Sequence, residues 1–233
     1  PCIESAGAIW TYMGPAENKP QVPSYVMNVL PEENVMATRT MIYCNYLQSI
    51  EGNLDSTHLG TLHLYYDNMI PADLEYDKPG HPSPRFSNYI TGTQKYARID
   101  VQDTDYGYRL IAVRKTPKGN QHIRINNLAL PVMTWIASSG GNGAVFTQLP
   151  VDDHNCMRVG FIVRPDKPFT AGERQAAESQ AALLQDPDNP KLRLKRMDND
   201  YHQDRVAQKT TNPPGIWPIP EQDYAVTETM GVI

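Results

Sequence analysis

Cysteine is scarce in this chain. Cys2, Cys44 and Cys156 are the only three among 233 residues, each far from the others. That spacing argues against a disulfide framework and for a reducing, cytoplasmic setting. No Cys-x-His or Cys-x2-His pair occurs, so an iron–sulfur centre built from two cysteines and two histidines is excluded within these residues. Long apolar runs are missing too: no stretch of 18 apolar residues exists and no signal-peptide pattern opens the chain, so no membrane association is expected. There is no basic block, and the net charge is −5, which makes nucleic acid and anionic lipid poor partners. With 40% hydrophobic and 20% charged residues, the composition fits one large domain that can bury a core, or a domain with a long irregular excursion.

Histidine is nearly as sparse, with six in all, yet two fall in the run NYLQSIEGNLDSTHLGTLH from Asn45 to His63. Asp55 and His58 are three apart, so on a helix they share one face. His63 lies five beyond His58, and Gly60 between them is a place for a helix to loosen and swing His63 back. Two such imidazoles suit iron, zinc, copper or nickel. The bland alternative is a pair of exposed or hydrogen-bonded histidines. Asn45, Gln48, Glu51 and Asp55 weigh against it, because they put polar groups on a face that a core-packed helix would keep apolar.

The remaining chain has an α+β pattern. Ala8–Met13 and Val35–Tyr43 predict strands, the second leading into the histidine-bearing helix. Pro71–Ser87, rich in proline, predicts a surface loop, with His81 assigned to solvent. Residues 95–164 alternate or run apolar between DTD, PKGN and SGGNG, predicting five or six antiparallel strands. Thr170 and Glu173 predict a capping box opening a helix. His202 and Asp204 lack a ligand-spaced companion and are read as part of a solvated, charged face. In the closing GIWPIPEQDYAVTETMGVI, Pro218 and Pro220 mark a helix entry. Asp223 then falls in a first turn, where an acid is favoured by the helix dipole alone; Glu221 and Glu228 are competing acids.

The Asp55-x2-His58-x4-His63 run, preceded by Gln48, Glu51 and Gly52, resembles the catalytic domain of Rieske non-haem iron aromatic-ring-hydroxylating oxygenases, alpha subunit. It is most similar to the phthalate dioxygenase and O-demethylase branch. ESAGAIWTYMGP near the start and DNDYHQDR farther on are similar to family segments as well. The resemblance implies a helix-grip fold of the START and Bet v 1 kind, in which a curved antiparallel sheet wraps a long C-terminal helix. Residues 1–233 would then be the catalytic, mononuclear-iron domain, a fragment whose N-terminal Rieske domain lies outside this chain. It also implies that His58, His63 and Asp223 bind one Fe(II), and that Asp55 bridges a ligand histidine to the Rieske [2Fe-2S] cluster of a neighbouring subunit in a homotrimer. Electrons would come from a reductase or ferredoxin, with NAD(P)H involved only through the reductase. Dioxygen and an aromatic substrate complete the reaction, which would be hydroxylation, cis-dihydroxylation or O-demethylation.

Phthalate-type members of the family hold a substrate carboxylate with arginines on sheet strands, which points to Arg98 in YARIDV and Arg124 in HIRINN. Both alternate with apolar neighbours, so both are simply solvated if those neighbours pack the core. Two other functions are compatible with the residues: a helix-grip module that binds a small molecule without iron, and a zinc hydrolase using the same histidines.

Overall fold

A computed structural model of the protein describes residues 2–65, 77–78, 84–137 and 143–233. Its centre is a sheet of seven strands: β3 (Val35–Ile42), β4 (Arg98–Thr104), β5 (Gly107–Lys115), β6 (Gln121–Ala129), β7 (Met133–Ala137), β8 (Gly143–Pro150) and β9 (Cys156–Val163). Every neighbouring pair is antiparallel, in the order β3-β9-β8-β7-β6-β5-β4. The six strands of residues 95–164 are thus a meander of successive hairpins, joined by β3 at one edge. Tight turns set the register; at β5–β6 the chain reverses through Gly119, whose φ of +84° suits a residue without a side chain.

The two faces are covered differently. At the β3-β9-β8 end the outer face carries Val35, Val145, Phe161 and Val163, and is covered by α1 (Val26–Val29) and the hairpin of β1 (Cys2–Ser5) with β2 (Ala8–Thr11). Trp10 stacks on Phe161 at 6.0 Å. The inner face is covered by α2 (Tyr46–Leu54) and α6 (Ile219–Thr229), which bury Ile50, Leu54 and Leu128 in one cluster and Ile42, Cys44, Cys156 and Tyr224 in another. Cys44 and Cys156 are buried free thiols. The α+β architecture expected from the sequence is the one observed; the last helix has 11 residues, so α2 shares the covering of the sheet with it.

Other helices are α3 (Pro84–Thr93), α4 (Ala171–Leu183) and α5 (Ala207–Thr210). The Thr170–Glu173 capping box opens α4 as expected, with Glu173 Oε2 accepting from Thr170 N at 2.8 Å. The loop expected over Pro71–Ser87 is corrected at its end: α3 begins at Pro84, where proline's missing N–H costs nothing in a first turn. His81 lies outside the described residues.

Candidate metal centre

The helix bearing the first histidines is shorter than the spacing suggests. α2 stops at Leu54, and Asp55 is its C-cap with extended ψ of 129°. The cause is local. The Asp55 carboxylate accepts from the backbone N–H of Thr57 at 2.7 Å and of His58 at 2.9 Å, a turn that competes with continued helix. His58 then starts a 3-10 turn, His58–Gly60, so Gly60 lies beyond the break and does not cause it. The polar residues of α2 also have other work. Asn45 and Gln48 form an N-terminal capping box, Gln48 also donates to Gly231 O at 2.8 Å, and Glu51 is exposed.

Side chains from the inner sheet face hold this break in place. Asn126 on β6 donates to the carbonyls of Asn53 and Leu54 at 3.1 and 3.2 Å, satisfying acceptors that a helix end leaves open. Arg114 on β5, only 2% exposed, donates to Ser56 O at 2.5 Å and to Gln94 O just after α3 at 2.9 Å. The two residues either side of Ser56 and Thr57, Asp55 and His58, are therefore set by strand side chains as well as by their own turn.

His58, His63 and Asp223 converge. One possible ligand atom from each lies within 4.8 Å of the others, and they form the only such group of three among the described residues. Nε2 of His63 is 2.9 Å, and Nε2 of His58 3.6 Å, from Asp223 Oδ1. The imidazoles meet edge to face, with ring centroids 4.8 Å apart. Their other nitrogens are engaged: His58 Nδ1 with Asp55 Oδ2 at 3.0 Å, His63 Nδ1 with Gln222 Oε1 at 2.8 Å. Burial pushes the Asp55 carboxyl up, but the His58 ring and the two backbone N–H groups outweigh it and hold the group well below the ordinary carboxylate range. For His63, burial opposes the charged ring, yet the hydrogen bond and charge of Asp223, aided by Gln222, raise its pKa.

Asp223 comes from the second turn of α6, not the first; Glu221 is the first-turn acid. Neither competing acid joins the group. Glu221 and Glu228 both bind the buried guanidinium of Arg193, and Glu228 also accepts from Tyr201 Oη at 2.9 Å and Tyr43 N at 2.9 Å. Asp204 caps the start of α5 by accepting from Val206 N and Ala207 N, and neither it nor His202 belongs to a cluster able to hold a metal among the described residues.

The two arginines part company. Register pairs Arg98 with Val113 and Ile123, but Arg124 with Ala112 and Ile99, and directly paired residues share a face. Arg98 is therefore on the outer face, 69% exposed and paired with Asp100 at 2.9 Å; the sheet does not bring it to the site. Arg124 is on the inner face, and Ile123 and Ile125 turn outward. Its Nε is buried with no hydrogen-bond partner. Burial, reinforced by the nearby charge of Arg114, lowers its pKa to about 10, and its positive charge reaches His63. Beside it on the same strand face, His122 bonds Ser87 Oγ at 2.9 Å. Burial and the two guanidiniums push His122 down to about 4.

The model of the family described as "LigXa C-terminal domain like" matches residues 11–233. The chain belongs to that family. This LigXa C-terminal-like domain is a Rieske oxygenase catalytic domain. It is 29% identical over 239 residues to the phthalate 4,5-dioxygenase oxygenase subunit of Pseudomonas putida, covering 99% of this chain and 52% of that protein. It is 26% identical over 249 residues to the 3-chlorobenzoate-3,4-dioxygenase oxygenase subunit of Comamonas testosteroni, covering 100% of this chain and 55% of that protein. It spans about half the length of these relatives. A carbazole-bound oxygenase of carbazole 1,9a-dioxygenase, solved with its ferredoxin, is similar at 12% identity and TM-score 0.47, covering 99% of this chain and 55% of that one. No helix of the described residues is long and apolar enough to cross a membrane.

Gln222 was not legible as a site residue. Its partner His63 is 159 positions upstream, and an amide beside an acid carries no spacing signal of its own.

Proposed function

We propose that this domain is the catalytic part of a terminal oxygenase, and that His58, His63 and Asp223 hold a single Fe(II). The observation that carries the reading is the convergence of two imidazole nitrogens and one carboxylate while both remaining ring nitrogens are bonded elsewhere. Two imidazoles and a carboxylate fit Fe(II) and leave other positions open. Bound there, Fe(II) supplies the redox activation of dioxygen by which an aromatic substrate is hydroxylated, dihydroxylated or O-demethylated.

The chain's own groups have separable tasks. Asp55 anchors the His58 ring through Nδ1, and its side chain, 44% exposed, is open to a group from a neighbouring subunit. That suits an electron relay from a Rieske [2Fe-2S] cluster served by a ferredoxin or reductase. A head-to-tail contact of this kind closes only as a ring, here a trimer. Arg124 has no carboxylate partner among the described residues. A buried guanidinium of that sort suits donating paired hydrogen bonds to a carboxylate, and the names of two relatives, phthalate and 3-chlorobenzoate, are those of aromatic acids. We therefore assign the substrate to the aromatic carboxylates.

Anaerobic reconstitution with Fe(II) tests the centre. One iron per chain is expected for the wild type and none for His58→Ala; a His58→Ala/His63→Ala double variant that keeps one iron refutes the ligand set. Zinc uptake with ester hydrolysis in place of iron would favour a hydrolase, and uptake of no metal a simple binding module.

A further inference from the structure

Gln222 has 0% exposure although its side chain is an amide. A buried amide must place its donor and acceptor ends separately, and here the surroundings permit one orientation. Its Nε2 is 2.8 Å from the carbonyl oxygen of Ile216, which can only accept. The amide nitrogen is therefore fixed on that side. Oε1, which cannot donate, is left facing Nδ1 of His63 at 2.8 Å, so Nδ1 carries the hydrogen. With Nδ1 so bonded, Nε2, which lies 2.9 Å from Asp223 Oδ1, is the nitrogen left to turn a lone pair to an ion seated between the two side chains. The second amide hydrogen goes to the Tyr65 hydroxyl oxygen at 3.2 Å.

His58 receives the same treatment from a different group, since the Asp55 carboxylate also only accepts. Both rings are thus held with hydrogen on Nδ1, one by a charged acceptor and one by a neutral one. We infer that Gln222 is a positioning residue of the metal centre, locking the ring and tautomer of His63 and taking its own orientation from the Ile216 carbonyl. This rests on the reading that His58, His63 and Asp223 hold a metal ion. An outer partner orients the ligand it bonds and raises its basicity. A neutral amide does so less than a carboxylate, so His58 is the more strongly donating imidazole of the two.

Cobalt(II), which makes nearby ring protons visible by their shifted NMR signals, is the probe. The cobalt-loaded wild type is expected to show two shifted, exchangeable ring N–H signals. Gln222→Met keeps the length of the side chain but has no acceptor. It should lose the His63 signal, keep the His58 signal, and bind cobalt about 10- to 100-fold more weakly. Gln222→Glu keeps the acceptor and should retain both signals. Both variants strand the Ile216 carbonyl, so both are expected to lose thermal stability, and only the N–H signal separates a lock on His63 from a packing role. The lock is overturned if Gln222→Met keeps both signals and wild-type affinity, or if Gln222→Glu loses the His63 signal as Gln222→Met does. A wild type that binds no cobalt overturns the metal reading, and the lock with it.

Discussion

Asp55 uses one carboxylate for two purposes, ending α2 through the N–H groups of Thr57 and His58 and gripping the His58 ring. Asparagine can still make the turn but is a weaker, uncharged acceptor. In a protein that joins this domain to a Rieske domain, Asp55→Asn should keep most of its iron and lose turnover severely; near-normal turnover would count against an electron relay. Arg124→Met should abolish a preference for an aromatic acid over its methyl ester, measured by equilibrium binding, whereas Arg98→Met should leave it unchanged. His122 gives a pH test. Its folded pKa of about 4 lies below the ordinary 6.5, so between those values the unfolded chain takes up a proton that the folded one does not. The His122 contribution to stability should be constant above pH 6.5 and fall by roughly a few kcal/mol as pH drops to 4. His122→Gln should flatten the decline in denaturant titrations across that range. Asp55, His58 and His63 were legible as a group because they are close in sequence. The division of Arg98 from Arg124 was not, because it depends on which strand residue faces which, and their sequence contexts look alike.

At the level of elements, the strands were readable because β-branched and aromatic runs alternate between strong turn signals. Helix ends were harder. The end of α2 is set by a side chain competing for backbone N–H groups, and the start of α3 by a proline that could as well have belonged to a loop. The placement of α6 was not readable at all, since it depends on Arg193, which bonds Glu221 and Glu228 on that helix and Met41 O on β3. Tyr224, the neighbour of Asp223, lies between the guanidiniums of Arg193 and Arg158, 4.3 and 4.9 Å from its ring. Arg193→Met would leave two buried acids without their cation, and breaking a buried pair in this way costs about 3–5 kcal/mol. Urea unfolding should show a loss of that size; one within about 0.5 kcal/mol would mean that α6 is held by apolar packing instead.

Over the whole molecule, one face of the sheet meets the hairpin and α1 while the other carries the candidate centre, so the two can be altered separately. Trp10→Ala removes the partly buried ring stacked on Phe161 and should destabilise the fold by less than the about 3–5 kcal/mol of a fully buried Trp while leaving cobalt affinity of the folded protein unchanged. If the proposed relay holds, light scattering on a protein that joins this domain to a Rieske domain should report a trimer, and a fully active monomer would contradict delivery of electrons from a neighbouring subunit. The three proposed ligands come from distant parts of the chain, His58 and His63 soon after the first strand of the sheet and Asp223 on the last helix. Contacts so distant in sequence form late, because a long loop must close before they are rewarded. Docking of α6 onto a finished sheet is therefore expected to be the final event of folding. An ion bound there would act as a reversible clasp between these distant parts of the chain, slowing unfolding in proportion to its occupancy.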